Sequence, residues 1–145
     1  MKKLFCVILA ALCMGWAVAE NESEETMMLT MKIDETEVQV TWVQNEAVNA
    51  LAALAAEEPL TIKMSMYGGF EQVGSIGTDL PRNDTQTTTQ AGDIVLYAGD
   101  QMVVFYGSNA WSYTRLGHIT DQSPEQMEAL LSGGDVTITL AMREE

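Results

Sequence analysis

Residues 60–74 read LTIKMSMYGGFEQVG, and their pattern indicates a β fold with a glycine turn. Apolar side chains take every second position of its first half, at Leu60, Ile62, Met64 and Met66. This is the period of a half-buried strand, and the two glycines that follow allow positive φ or close backbone approach. Tyr67, Phe70 and Glu71 are therefore predicted to line one wall of a groove. The alternative is a glycine bulge at a barrel corner, with Tyr67 covering the core.

Alternation of apolar and polar residues recurs along the chain and predicts a mainly β domain. Further strand-like runs cover residues 29–33, 38–42, 93–97, 102–106, 111–119 and 135–142. Residues 34–36 form the turn of a hairpin. Residues 68–90 are the longest stretch that we interpret as irregular, and a stretch of this length is usually a functional loop or a lid.

Two short helices interrupt the strands. Asn45 is a favourable N-cap for a helix over 46–58. Ser123-Pro124-Glu125-Gln126 combines an N-cap, a proline at the first helical position and a capping-box glutamine. Seven or eight strands with two helices favour a barrel whose ends the helices cover.

The N-terminus has the features of a secretory signal. Lys2 and Lys3 precede an apolar run over 4–14, and Ala17 and Ala19 supply the small residues of a cleavage site. The run is too short for a comfortable membrane span, although an uncleaved anchor is the alternative. We therefore expect a periplasmic or extracellular protein with no membrane association after cleavage.

We predict that the chain has three parts: a signal at 1–19, an acidic disordered tether at 20–26 and one domain at 27–145. All 21 acidic residues follow residue 19, and five basic residues remain there, so the mature formal charge is 5 − 21 = −16. Such a charge repels nucleic acid phosphates, and we expect no nucleic-acid partner. Both cysteines, Cys6 and Cys13, lie in the signal, so the domain has no thiol chemistry.

No self-sufficient catalytic motif is present. The chain has one histidine, His118, and neither a Gly-x-Ser-x-Gly turn nor the spacing of a zinc or EF-hand site. We assign no catalytic residue and expect no metal or cofactor. Glu71 and Asp93 qualify as an acid/base pair only because glycines lie near them.

Five aromatic residues followed by an arginine fall close together, at Tyr97, Phe105, Tyr106, Trp111, Tyr113 and Arg115. Aromatic rings supply apolar surface at low entropy cost, and a guanidinium donates to carbonyl oxygens, so the set suits a peptide groove. With the glycine segment, it predicts a ligand-binding groove formed by Tyr67, Phe70, Glu71, Tyr106, Tyr113 and Arg115. The alternative is that Phe105 and some of the tyrosines belong to the core.

Several of these segments together resemble a known family. LTIKMSMYGGFE at 60–71, AGDIVLYAGD at 91–100, SYTRLGHI at 112–119 and GDVTITL at 134–140 are similar to the bacterial cyclophilin-like domain family. The resemblance spans 27–142 and implies a closed eight-stranded β-barrel with two short capping helices. True cyclophilins are peptidyl-prolyl isomerases with a Phe-His-Arg segment, which this chain lacks.

Three functions follow as hypotheses. The first is an exported module that binds a peptide or a small molecule in the groove. The alternative is an extracytoplasmic peptidyl-prolyl cis-trans isomerase with a diverged site. The third is an acidic partner subunit without pocket chemistry. Fold alone does not choose between them.

Overall fold

The computed structural model of the protein describes residues 27–144, so the predicted signal and tether lie outside the described residues. Eleven strands and two helices occupy that range, which confirms the mainly β prediction. The strands are β1 (Met27–Ile33), β2 (Thr36–Val38), β3 (Val40–Trp42), β4 (Leu60–Lys63), β5 (Ser65–Tyr67), β6 (Glu71–Ser75), β7 (Thr85–Thr88), β8 (Asp93–Tyr97), β9 (Gln101–Phe105), β10 (Ala110–Ile119) and β11 (Thr137–Glu144). The helices are α1 (Glu46–Glu57) and α2 (Pro124–Leu131).

Both helices begin at the predicted caps. The Asn45 side chain accepts a hydrogen bond from the Val48 backbone N–H at 2.9 Å, which satisfies a donor at the start of α1. Ser123 and Gln126 form the reciprocal bonds of a capping box at α2. The local signals were therefore sufficient to place the helices.

The strands form two sheets. The larger has seven strands in the order β3-β10-β8-β9-β6-β5, with β7 paired to β10, and the smaller has the order β2-β1-β11-β4. Among residues 27–144, hydrogen-bonded ladders join strands within each sheet and do not close the two into one barrel. The structure therefore has eleven strands in two sheets, where the resemblance implies eight strands in one closed barrel.

Two features of the chain account for the larger number of strands in the structure than in the prediction. The predicted strands over 38–42 and 60–66 are each interrupted at one residue, Gln39 and Met64, where the chain passes from the smaller sheet to the larger. The stretch over 68–90, which we interpreted as irregular, contains β6 and β7. Strand β6 pairs with its neighbour β5 and with the more distant β9, and β7 pairs with the distant β10.

Residues 29–142 form one compact unit with two buried clusters. The main cluster draws side chains from both sheets and both helices, among them Met31, Leu51, Leu96, Met127 and Ile138. A smaller cluster of Val95, Val103, Phe105 and Tyr113 covers the other face of the larger sheet. Strand β8 is buried on both faces, which explains its continuous apolar run. No helix within residues 27–144 is long and apolar enough to cross a membrane.

Candidate functional site

A cavity of about 510 Å³ lies over the smaller cluster, on the face of the larger sheet away from the main core. We call it the aromatic cavity. Its lining residues are Tyr67, Phe70, Glu71, Val73, Tyr97, Gln101, Val103, Asn109, Trp111 and Tyr113. Pockets of this size accept small organic ligands or a few residues of a peptide.

The β5–β6 turn positions Phe70 at this cavity. Gly68 and Gly69 adopt φ values of +70° and +74°, a region that favours glycine. A Cβ on Gly68 would lie 2.4 Å from Cε2 of Phe70, so only glycine leaves room for the ring. The backbone N–H groups of Tyr106 and Gly107 both donate to the Phe70 carbonyl, at 2.9 and 3.0 Å. The turn is thereby held against the end of β9.

The aromatic rings form a continuous chain across the sheet. Tyr67 meets Phe70 edge-on, and Phe70 is stacked on Phe105 with ring centroids 6.4 Å apart in both contacts. Tyr113 meets Phe105 at 5.7 Å and Tyr97 at 6.2 Å, both edge-to-face. Such arrangements suit the quadrupoles of the rings and add to the energy of burial. The cavity wall is therefore a packed surface held in one geometry.

Glu71 is the acidic residue of the cavity. It lies in β6 directly opposite Phe105 of β9 and Tyr67 of β5. Its exposed fraction is 7%, and the described residues place no hydrogen-bond donor or cation against its carboxyl group. Burial raises the pKa of Glu71 to about 7, because an apolar surrounding disfavours the charged form.

Asn109 connects the cavity to the loop before β10. Its side-chain amide donates to the Tyr113 hydroxyl at 2.8 Å. Its backbone is held by the buried Thr89, which receives a hydrogen bond from the Asn109 N–H and donates to the Asn109 carbonyl. Burial is the largest influence on Tyr113 and raises the pKa of its hydroxyl. Tyr113 is thus held neutral with its oxygen already accepting one bond.

The structure brings four of the six predicted groove residues together at the aromatic cavity: Tyr67, Phe70, Glu71 and Tyr113. Tyr106 does not line that cavity. It packs against the main cluster, because it follows Phe105 and neighbouring residues of an extended chain point to opposite faces.

Arg115 also lies away from the aromatic cavity. Its Nη1 atom is 3.2 Å from Oδ2 of the buried Asp93, and its Nη2 donates to the Thr88 carbonyl at 3.3 Å. The Asp93 Oδ1 atom is 2.8 Å from Nδ1 of His118. A buried carboxylate needs partners, and Arg115 and His118 meet that need. Asp93 therefore works within this group and does not form an acid/base pair with Glu71 at the cavity.

A second cavity of about 540 Å³ contains Arg115, and its remaining lining is Asn45, Glu46, Ala47, Pro81, Arg82, Asn83 and Thr114. Both arginines there are paired, Arg82 with Asp84 at 2.7 Å and Arg115 with Asp93. Within residues 27–144, no group of three or more His, Cys, Asp or Glu residues is arranged to hold a metal ion.

Sequence reasoning missed two polar residues of the aromatic cavity, Asn109 and Gln101. Asn109 follows Gly107-Ser108, a composition typical of a turn and without a chemical signature. Gln101 is the first residue of β9 and lies opposite Ser75 of β6 and Tyr97 of β8. Only the register of the sheet, set by contacts distant in sequence, brings either residue to this cavity.

Comparison with known proteins agrees with this architecture. The Cyclophilin-like family matches residues 31–141 of the chain. A hypothetical protein from Archaeoglobus fulgidus, known from a solution structure, is similar with a TM-score of 0.51 and 17% identity. That similarity covers 81% of this chain and 94% of the other, and at this identity it concerns the fold alone. None of the curated proteins compared with the chain matches it.

Proposed function

The chain belongs to the Cyclophilin-like family, and on that premise we propose that it is an exported binding domain whose aromatic cavity takes a peptide or a small molecule. The proposal of export is supported by the basic, apolar and small-residue segments of residues 1–19. The proposal of binding is supported by the cavity itself.

The main support for a binding function is the exposure of aromatic rings around the mouth of the cavity. Tyr67 is 64% exposed and Trp111 is 57% exposed, although both line the same cavity as the buried Tyr113. Clustered apolar rings in contact with water mark interaction sites more often than isolated ones do. A ligand that covered them would gain roughly 25 cal/mol for each Å² of apolar surface removed from water.

Polar groups in the cavity supply direction for a ligand. Glu71, Gln101 and Asn109 are set among the aromatic side chains, so a few polar groups converge in a mostly apolar lining. This is the usual composition of a small-molecule or peptide site. In such a site the rings supply apolar contact area, and the polar groups orient the ligand.

A nuclear magnetic resonance screen tests the proposal. The protein has tryptophans at 16, 42 and 111, and loss of one indole N–H signal in Trp111→Phe identifies the reporter of the cavity. We expect members of a library of short peptides and organic molecules to shift the Trp111 signal while the Trp42 signal stays in place. If the library leaves the Trp111 signal unmoved, a binding function for this cavity is overturned, and the partner-subunit hypothesis gains.

Family membership favours prolyl isomerisation as a second candidate. That reaction needs an arginine that donates to the substrate amide nitrogen, and Arg115 is the arginine of the predicted groove. Its guanidinium contacts Asp93 and Thr88, and no arginine is among the described residues that line the aromatic cavity. A protease-coupled assay with proline peptides tests this second candidate. Acceleration of peptide isomerisation that Arg115→Ala abolishes supports it, and no acceleration at micromolar protein excludes it.

A further inference from the structure

We propose that the aromatic cavity binds an alkylammonium group and that the Glu71 carboxylate is its counter-ion. The inference rests on the proposed binding function and names the chemistry of the ligand. Three observations carry it: an acidic side chain without a partner, aromatic walls around it, and a lining without basic residues.

The first observation is the state of Glu71. The residue is 7% exposed, it lines the cavity, and it forms none of the ion pairs of the described residues. Asp93, the other strongly buried acid, has Arg115, His118 and the Gln90 backbone N–H as partners. A buried carboxylate without such partners is unfavourable, and a cationic ligand would supply the missing one.

The second observation is the set of rings around Glu71. Five aromatic side chains line the cavity: Tyr67, Phe70, Tyr97, Trp111 and Tyr113. The face of an aromatic ring carries partial negative charge, and several rings together attract an ammonium group, most strongly when it is alkylated and weakly hydrated. A carboxylate beside the rings adds a full charge of the same sign.

The third observation is the charge of the surroundings. The ionisable side chains of the lining are Glu71 and the three tyrosines, so no described lining residue is basic. Arg115, two residues after Tyr113 in β10, is paired with Asp93 and does not line the cavity. The mature chain carries a formal charge of −16, which raises the local concentration of cations and lowers that of anions. Anionic ligands are thus disfavoured at this cavity.

The titration of Glu71 gives the proposal a second, independent readout. The other titratable groups that face the cavity are the hydroxyls of Tyr67 on β5, Tyr97 on β8 and Tyr113 on β10. The pKa of Glu71 is about 7, so binding of a cation requires loss of a proton below that pH. Cation affinity should therefore fall about tenfold from pH 8 to pH 6 and stay nearly constant above pH 8.

Choline and 3,3-dimethylbutan-1-ol are the probes for the test, because they have the same shape and differ by the positive charge. We would titrate each into the purified protein and follow the Trp111 indole signal. Choline should bind at least tenfold more tightly than the neutral alcohol, with the pH dependence given above. Equal affinities overturn the inference but leave the proposed binding function standing, since both probes then occupy the cavity.

Glu71→Gln keeps the shape of the side chain and removes its charge. It should lower choline affinity at least tenfold at pH 8, abolish the pH dependence and leave the affinity of the alcohol unchanged. Glu128→Gln, at an exposed position of α2, removes the same charge from the surface and should change neither affinity. Equal losses in both variants would show that general charge, and not Glu71, attracts the cation, which contradicts the proposal.

A short peptide with one trimethyllysine, compared with the same peptide carrying norleucine, distinguishes a peptide source from a free small molecule. Tighter binding of the charged member of either pair supports the proposal. If choline binds more tightly than the trimethyllysine peptide, the ligand is a free small molecule, and the reverse order indicates a peptide. If neither cation moves the Trp111 signal, the inference fails. Failure of the whole screen in addition would remove the proposed function as well.

Discussion

Glu71 and Asp93 show how the same side-chain type acquires different properties in one sheet. Asp93 is buried beside Arg115 and His118, so its charge is compensated within the protein. Glu71 is buried among aromatic rings, and burial alone determines the direction of its pKa shift. Glu71 begins β6 and Asp93 begins β8, the two strands that flank β9, and of the two only Glu71 lines the aromatic cavity.

The raised pKa of Glu71 predicts a pH-dependent effect on stability. Its pKa rises from 4.5 to about 7 in the folded state, so the folded protein binds this proton more tightly than the unfolded chain. The contribution of Glu71 to stability is therefore largest below pH 4.5 and is lost as the pH rises to about 7. Glu71→Gln should leave stability nearly unchanged at pH 4 and raise it at pH 8, by at most about 3 kcal/mol.

Urea unfolding of both proteins at the two pH values measures this difference. Glu128→Gln serves as the control, since its exposed carboxyl should give no such pH-dependent gain. A Glu71→Gln effect of equal size at pH 4 and pH 8 would show that burial does not disfavour the Glu71 charge.

At the scale of elements, the β5–β6 turn and the cap of α1 illustrate two ways in which short segments are held. The turn depends on glycines because Phe70 fills the space beside them. The cap depends on one side chain, Asn45, which accepts from Val48 and donates to the Arg115 carbonyl at 2.9 Å. Each segment joins a local preference to a contact from a distant strand.

Two glycine substitutions in the β5–β6 turn separate the cost of a positive φ from the cost of a collision with a side chain. Gly69→Ala forces alanine to a positive φ, with nothing within 4 Å of the new Cβ, and should cost about 1 kcal/mol. Gly68→Ala adds a collision with the Phe70 ring and should cost roughly 1–3 kcal/mol more. Thermal or urea unfolding measures both, and equal losses in the two variants would show that Phe70 shifts without cost.

Asn45→Ala should lower the free energy of unfolding by about 1–2 kcal/mol, because it removes the cap of α1 and the bond to β10. Asn49→Ala is the matched control, since Asn49 is an exposed residue inside the same helix and alanine is the better helix former there. Urea unfolding of the two variants measures their changes in the free energy of unfolding. A loss no greater than that of the control would mean that water replaces both bonds.

At the scale of the whole molecule, the first two basic residues and all of the acidic residues lie on opposite sides of the N-terminal apolar segment. The basic residues Lys2 and Lys3 precede the apolar segment, and every acidic residue follows it. After cleavage the domain would carry strong negative charge and no cysteine, so it needs neither a disulfide nor a reducing compartment to fold.

We predict that the exported protein begins at Glu20. Mass spectrometry of the protein recovered outside the cytoplasm should give the mass of residues 20–145, because Ala17 and Ala19 are the small residues that signal peptidase requires. Ala19→Arg should block cleavage and leave the longer chain in the membrane fraction. An intact N-terminus at Met1 in the wild-type protein would contradict the prediction.

Features that depend on neighbouring residues could be predicted from the amino-acid sequence. Cap chemistry at Asn45 and Ser123 set the helix starts, the period of two revealed most strands, and several motifs in order indicated the family. These signals are local, because hydrogen bonds and side-chain faces within a segment depend on residues a few positions apart.

Strand pairing and the loss of water from individual side chains could be read from the folded structure and not from the sequence. Part of the stretch over 68–90 forms β6 and β7 in the structure. Tyr106 and Arg115 lie away from the aromatic cavity, whereas Asn109 and Gln101 line it. The structure also buries Glu71 without a partner. Strand register and desolvation arise from contacts between residues far apart in the chain, so no local pattern could have specified them.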